Sequence, residues 1–192
     1  MPITRYKYRC IDCNHYHEID QPHYVCSQCR GLLLIERDLN YIRAQFPDLA
    51  TWRQHYETLR ALPRSRYPFG SGVFRWLGLI LPGFPLEHVV SLNEGDTDLW
   101  EPPDWLKRQI GLKRLYVKLE GQAPSGSFKD RGMPIPVSDG VRLKRTRPEL
   151  GIKYVCCAST GDTSASAALY AAYLGDKVAS AVLLPQDRKS VV

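Results

Sequence analysis

Long hydrophobic runs are missing from this 192-residue chain: no stretch approaches the about 18 apolar residues that a membrane-spanning helix needs. Its most apolar segments, residues 73–81 and 178–184, are too short or are broken by Arg75 and Gly78. No membrane partner is expected. Behind the N-terminal Arg5, Lys7 and Arg9 there is no apolar segment of the secretory kind, and cysteines begin at Cys10, so the chain reads as cytoplasmic. Internal repeats and low-complexity segments are absent as well. With 44% hydrophobic and 24% charged residues, disorder is excluded as the main state. Acidic residues are the scarcer sign, 20 against 26 basic, for a net charge of +6. That balance suits an anionic ligand, whether phosphate ester, carboxylate or nucleic acid, and equally suits a solvated basic surface.

Apolar residues are also few in residues 1–37, too few for a core without a staple. Four of the six cysteines lie there, as Cys10-Ile-Asp-Cys13 and Cys26-Ser-Gln-Cys29. Each pair can place two thiolates on one ion, and four thiolates close a tetrahedron, which suits zinc in a structural role with no open position for catalysis. Iron in the same cage, disulfides or free thiols stay open as alternatives. His15, His17 and His23, between the two pairs, read as exposed loop, and the adjacent Cys156 and Cys157, inside an apolar run, as buried core.

Composition divides the chain into a zinc-ribbon-like segment at 1–37, a helical and loop-rich connector at 38–88, and an α/β region at 89–192. In the connector one helix stands out, with Leu49, Trp52, Tyr56, Leu59 and Leu62 at steps of three and four between Pro47-Asp48 and Pro63. In the last region the pattern predicts a helix over 103–110 stopped by Gly111, a strand over 112–120, a buried strand over 152–158, an alanine-rich helix over 163–174 closed by Gly175, and a second buried strand over 178–184. Strand, helix, strand with short joints implies a βαβ unit in a parallel sheet.

Two loops of this region carry chemistry. Glu120-Gly-Gln-Ala-Pro-Ser-Gly-Ser-Phe-Lys129-Asp-Arg-Gly132 follows a predicted strand and sets a lysine beside Phe128 and the turn Ser125-Gly126-Ser127, a setting able to desolvate an amine. An exposed lysine at a helix start is the plainer alternative. Ser159-Thr160-Gly161-Asp162-Thr163-Ser164 joins a predicted strand to a helix, where free backbone N–H groups and hydroxyls suit a carboxylate or phosphate. Ordinary N-capping by Ser159, Thr160 or Asp162 explains the same residues.

Taken with Ser91-Leu-Asn-Glu-Gly95 and its Asp96-Thr97, these blocks resemble the threonine synthases, within the fold type II (tryptophan-synthase-β-like) pyridoxal-phosphate enzymes, in the same order over nearly the whole chain. The resemblance implies that Lys129 carries pyridoxal 5'-phosphate as a Schiff base, with Phe128 packed nearby and Asp162 beside the cofactor's 3′-oxygen. It implies that Ser159, Thr160, Gly161 and Thr163 hold the substrate carboxylate, and that O-phospho-L-homoserine and water become L-threonine and phosphate. A small-molecule substrate is then the expected partner, with no nucleic acid; a homodimer is compatible with it. The family's glycine-rich phosphate cup and the hydroxyl residue facing the pyridine nitrogen are expected beyond this chain, which reads as an N-terminal, incomplete portion and as a poor catalyst alone. Residues 187–192 match nothing expected after Pro185-Gln186. Two prolines, Pro134 and Pro136, fall where the family has a helix, so that helix should kink or start late. Cysteate synthase and threonine dehydratase share the lysine and carboxylate loops and remain alternatives. From another class, a zinc-ribbon nucleic-acid-binding module draws support from Arg5-Tyr-Lys-Tyr-Arg9.

Overall fold

A computed structural model describes residues 5–175 and 178–183. Alternating side chains make β1 (Tyr6–Cys10) the centre of a small antiparallel sheet, flanked by β2 (Tyr16–His17) and β3 (Leu33–Arg37). Its inner face is not self-sufficient. Tyr6 and Ile19 join Phe74, Leu77, Leu81, Phe84 and Val89 in one buried cluster, with Tyr8, Ile35 and Ile135 packed against it. Each such side chain contributes about 1.5–3 kcal/mol on burial. The cluster draws on all three segments read from composition, so the cysteine region shares its core with the rest of the chain and is not a separate folding unit.

Two helices follow. α1 (Leu39–Gln45) begins where Asp38 accepts a hydrogen bond from the Tyr41 N–H at 2.9 Å, and α2 (Leu49–Arg60) where Asp48 accepts from Thr51 at 2.7 Å. The periodicity located α2 alone, because seven residues make too few turns to show a stripe. No residue of α2 is buried. Its apolar face rests on Trp76 through Trp52 and Tyr56, with ring centroids 5.3 and 4.6 Å away. After a 3₁₀ turn at Phe74–Trp76 and the short α3 (Leu77–Ile80), an irregular stretch leads to β4 (Leu99–Trp100).

The helix expected over 103–110 is α4 (Asp104–Ile110), ended by Gly111 in the left-handed region. The strand expected over 112–120 shrinks to β5 (Val117–Lys118), antiparallel to β4, because the chain turns into a 3₁₀ helix at Glu120–Gln122. α5 (Pro134–Thr146) starts late, as its prolines require: Pro134 is the first helical residue and Pro136 lies in the same turn, where N–H groups have no intrahelical acceptor.

β6 (Tyr154–Ala158), α6 (Asp162–Tyr173) and β7 (Ala179–Leu183) form a strand–helix–strand unit, with β6 and β7 paired in parallel from Tyr154↔Ala179 to Ala158↔Leu183. Val90, Val137, Val141 and Tyr170 make a second core between α5, α6 and the segment before Ser91. The two strands are not buried as expected: Tyr154 is 58% and Leu183 66% exposed. α6 packs on them, and among the described residues each is the other's only sheet neighbour. Cys156 is accordingly exposed and Cys157 half-buried, which corrects their placement in the core. Leu184, the Pro185-Gln186 pair and residues 187–192 lie outside the described residues.

Candidate functional site

The lysine turn is assembled by three carboxylates. Glu120, the first residue of the 3₁₀ helix after β5, takes both arms of Arg131: Nε donates at 2.7 Å and Nη2 at 2.6 Å. Thr97 Oγ1 donates to the same carboxylate at 3.0 Å, and Asp98 exchanges two hydrogen bonds with the Gln122 side chain. The hydrogen bonds from Arg131 hold the Glu120 carboxyl below its usual range, against the opposing effect of burial. Between Glu120 and Arg131 the chain reverses at Gly126, whose φ of +77° is strained for any side-chain-bearing residue. Ser127 then caps a 3₁₀ turn, Phe128–Arg131, its Oγ accepting from the Lys129 N–H at 3.4 Å.

Asp130, fully buried, is the second carboxylate. It accepts from Ser125 N at 2.6 Å, Ser125 Oγ at 2.7 Å and, across the fold, Ser166 Oγ of α6 at 2.5 Å. Three donors satisfy a charge that would otherwise be costly to bury. Asp162, the first residue of α6, is the third, accepting from the buried Ser127 Oγ at 2.9 Å. Through Ser127–Asp162 and Asp130–Ser166 the lysine turn and the Ser159–Ser164 loop, far apart in sequence, form one site. Lys129 itself is half-buried, its Nζ 4.4 Å from the centre of the Phe128 ring, which is 54% exposed. Among the described residues its amine has no acid partner, so it is uncommitted.

Of the residues expected to cap α6, none does. Gly161 holds the N-cap position without a side-chain acceptor, Ser159 Oγ accepts from the Gly161 N–H at 3.2 Å, and Ser164 Oγ donates to the Ser159 carbonyl at 2.5 Å. The N–H groups of Asp162 and Thr163 therefore open the helix with no partner inside it, beside the exposed Thr160 and the half-buried Ser159 and Thr163. That arrangement can receive an anion.

Glu94 supports the site from below. Fully buried, it accepts from Ser71 Oγ at 2.5 Å, Ser91 Oγ at 3.0 Å, Leu92 N at 2.8 Å and Tyr170 OH of α6 at 2.7 Å. Burial, then Glu94, push the Tyr170 hydroxyl well above its ordinary range. Gly72 lets the chain pass against this loop, since a Cβ there would lie 2.2 Å from Asp96 N. Glu94, Glu120, Asp130, Arg131, Ser127 and Tyr170 all escaped the sequence reading as functional residues. For all but Tyr170 the signal was the density of small and charged residues in two motifs, which says that a turn is special without saying who bonds to whom; Tyr170 carried no such signal.

Near the N-terminus the four cysteines converge, their Sγ atoms all within 4.8 Å of one another, with Cys10–Cys29 at 3.4 Å and Cys13–Cys26 at 3.6 Å. The two knuckles repeat one backbone pattern: Asn14 N donates to Cys10 O, Arg30 N to Cys26 O, and both Asn14 and Arg30 are left-handed. Sulfurs around a tetrahedral zinc with bonds of about 2.3 Å stand about 3.8 Å apart, so the cage has the right size for such an ion. Backbone donors at Cys13 and Asp12 bring the Cys10 thiol down to about 7. His17 is not exposed loop: it is buried on β2 with Nε2 3.4 Å from Cys26 Sγ, and its ring packs between those of His15 and His23, both half-buried.

The family model described as "Pyridoxal-phosphate dependent enzyme" matches residues 90–191, which include the lysine turn, Glu94 and the α6 loop. The chain belongs to this pyridoxal-phosphate dependent enzyme family. It is similar to the threonine synthase of Methanosarcina acetivorans, 37% identical over 95% of this chain and 38% of that protein. The threonine synthase of Methanocaldococcus jannaschii is 39% identical over 94% of this chain and 38% of its own length, and threonine synthase 2, chloroplastic, of Arabidopsis thaliana is 34% identical over 86% and 30%. The chain thus spans about 38% of the length of the first two relatives. As a family member it is α/β in the matched region, and among the described residues no helix is long and apolar enough to cross a membrane.

Proposed function

We propose that this chain is part of a threonine synthase, converting O-phospho-L-homoserine and water to L-threonine and phosphate. The observation that carries the reading is the pairing of an uncommitted lysine with an open helix start through Ser127–Asp162 and Asp130–Ser166, in a chain similar to threonine synthases along most of its length. Lys129 is the residue that would hold pyridoxal phosphate, and a primary amine next to an aromatic face fits that role. When bound, the cofactor supplies an electron sink for carbanion chemistry. Lys129 Nζ, once released to the free amine, would take a proton from one substrate carbon and return it to another. The N–H groups of Asp162 and Thr163, with Ser159, Thr160 and Gly161, would bind the substrate carboxylate. Asp162, which as a carboxylate can only accept, would favour a protonated oxygen opposite it. Phe128 would pack near the cofactor.

The four cysteines would hold a structural zinc, closed to solvent chemistry; the chain's own contribution is two knuckles that aim the thiolates inward. The division into ribbon (1–37), connector (38–88) and catalytic region (89–192) describes where these roles lie, and a four-thiolate zinc site suits a cytoplasmic setting. Nucleic-acid binding by the ribbon is the weaker reading. The aromatics of Arg5-Tyr-Lys-Tyr-Arg9 face the core, Tyr6 fully, and each basic residue has an acid: Asp38 for Arg5, Glu18 for Lys7, Glu36 for Arg9.

The deciding experiment is borohydride reduction of the complete enzyme with its cofactor, followed by peptide mapping, alongside phosphate release from O-phosphohomoserine. Labelling at Lys129 with phosphate released one for one with threonine supports the reading; labelling at another lysine, or release of a keto acid in place of threonine, overturns it.

A further inference from the structure

Arg142 on α5 is 6% exposed, and neither site described above uses it. Its guanidinium is divided between two elements. Nε donates to Asp139 on its own helix at 2.8 Å, and Nη2 donates to the Ile19 carbonyl at 2.5 Å, 123 residues away in sequence. Ile19 belongs to the loop between the two cysteine knuckles, two residues after His17, and its side chain is buried in the cluster that Ile135 of α5 packs against. The next residue, Asp20, accepts from Arg147 Nη1 at 2.5 Å, just past the end of α5. One short loop therefore grips α5 by a buried charged hydrogen bond, an apolar plug and a surface ion pair.

Both ends of that loop are fixed by the cysteines, Cys13 before it and Cys26 after it. Its own secondary structure is only the two-residue β2. At the other end, α5 is continuous with the lysine turn: the N–H groups of Gly132 and Met133 donate to the Lys129 carbonyl at 3.1 and 3.0 Å, and Val137 N donates to Met133 O at 3.3 Å. We propose that Arg142 is a positioning residue through which metal in the four-cysteine site holds α5, and with it the turn that carries Lys129. The inference rests on the reading that the cysteines take a metal and that Lys129 holds the cofactor. When the knuckles open, the Ile19 carbonyl withdraws and a buried guanidinium loses an acceptor, which α5 accommodates only by opening to water. Coupling of this kind is reciprocal: if metal orders α5 through Arg142, ordered α5 in turn strengthens metal binding, so breaking Arg142 should weaken it.

The test uses the zinc-loaded full chain and two readouts, zinc affinity by competition with a chromophoric chelator and amide hydrogen exchange of α5, with α2 as internal reference. In the unmodified chain, removing zinc should speed exchange over Pro134–Thr146 by about tenfold and over α2 by distinctly less. Arg142→Met should weaken zinc by about 5-fold or more, within the range usual for coupled sites, and should exchange in α5 with zinc as the unmodified chain does without it; Arg142→Lys should restore part of both. A residue that merely stabilised its helix would loosen α5 and leave zinc affinity untouched. Should Arg142→Met fail to fold, Asp20→Asn at the surface pair is expected to weaken zinc by about twofold in the same direction, and the comparison with and without zinc needs no variant. Unchanged zinc affinity in a folded Arg142→Met chain, α5 exchange indifferent to zinc, or equal loss of protection in α2 would each overturn the proposal. Those failures differ from failure of the underlying reading, in which the chain would take up no zinc at all or a lysine other than Lys129 would be labelled.

Discussion

In the knuckles, four thiols crowd within 4.8 Å of one another, and the crowding works against itself: a backbone donor at Gly31 favours the Cys29 thiolate, yet Cys10 and Cys13 push that thiol up to about 12. In the lysine turn, by contrast, Glu120, Asp130 and Asp162 each find donors within the chain, and only the Lys129 amine is left over. On the proposed reading, the first region is completed by an ion that neutralises its thiolates, and the second is the part of a cofactor site that this chain supplies, its polar groups already paired within the chain. The difference teaches which ligand is needed for folding and which for chemistry.

The sharpest separation comes from Lys129→Arg. The guanidinium keeps the charge over Phe128 and cannot form an imine, so cofactor attachment and turnover in the complete enzyme should fall by on the order of 10³-fold or more, while zinc content and melting temperature stay put. Cofactor absorbance, metal analysis and calorimetry on one preparation check all three. Next in size is Cys26→Ser, which removes one ligand of four. Zinc stoichiometry should drop from one per chain, and because Tyr6 and Ile19 share a core with Phe74 and Leu81, the melting transition of the whole chain should fall with it. A ribbon that unfolded in its own earlier transition would break the shared-core account.

Asp130→Ala probes the opposite region. It strands Ser125 N, Ser125 Oγ and Ser166 Oγ without their acceptor, at a cost of about 3 kcal/mol, and should weaken zinc far less than Cys26→Ser does. Denaturant titration with parallel metal analysis reads both; a loss of zinc equal to that of Cys26→Ser would show that the two regions are one cooperative site.

Local features of both regions were legible in the sequence and long-range polar ones were not. The CxxC spacing, the Asp48 cap of α2 and the late start of α5 at Pro134 follow from rules that act over a few residues. Glu94–Tyr170 and Ile19–Arg142, 76 and 123 residues apart, obey no periodicity, and the buried positions of Glu94, Asp130 and Arg142 contradict what charge suggests. His17 looked like exposed loop for the same reason: its burial depends on a two-residue strand, too short to announce itself. The strands β6 and β7 erred in the other direction, since an apolar run predicts burial and says nothing about how much covering lies alongside.

The smallest effect sharpens the comparison at the rim of the lysine turn. Hydrogen bonds from Arg131 lower the Glu120 pKa below its ordinary 4.5, so the folded chain prefers the carboxylate more than the unfolded chain does. A depressed pKa contributes stability above the unfolded value and loses it as pH falls through the folded one. The pair is partly exposed, with side-chain accessibilities of 40% for Arg131 and 26% for Glu120, and solvent screening limits its worth to no more than about 1 kcal/mol. Glu120→Gln should therefore be slightly less stable than the unmodified chain at pH 7, and the two should converge as pH falls below about 4.5 and through the lower pKa of the folded carboxyl. Urea midpoints taken at steps between pH 7 and pH 3 test this. A gap that stayed constant across the series would mean that the substituted amide fails through lost shape in the turn, and that Arg131 holds the loop by geometry without help from charge.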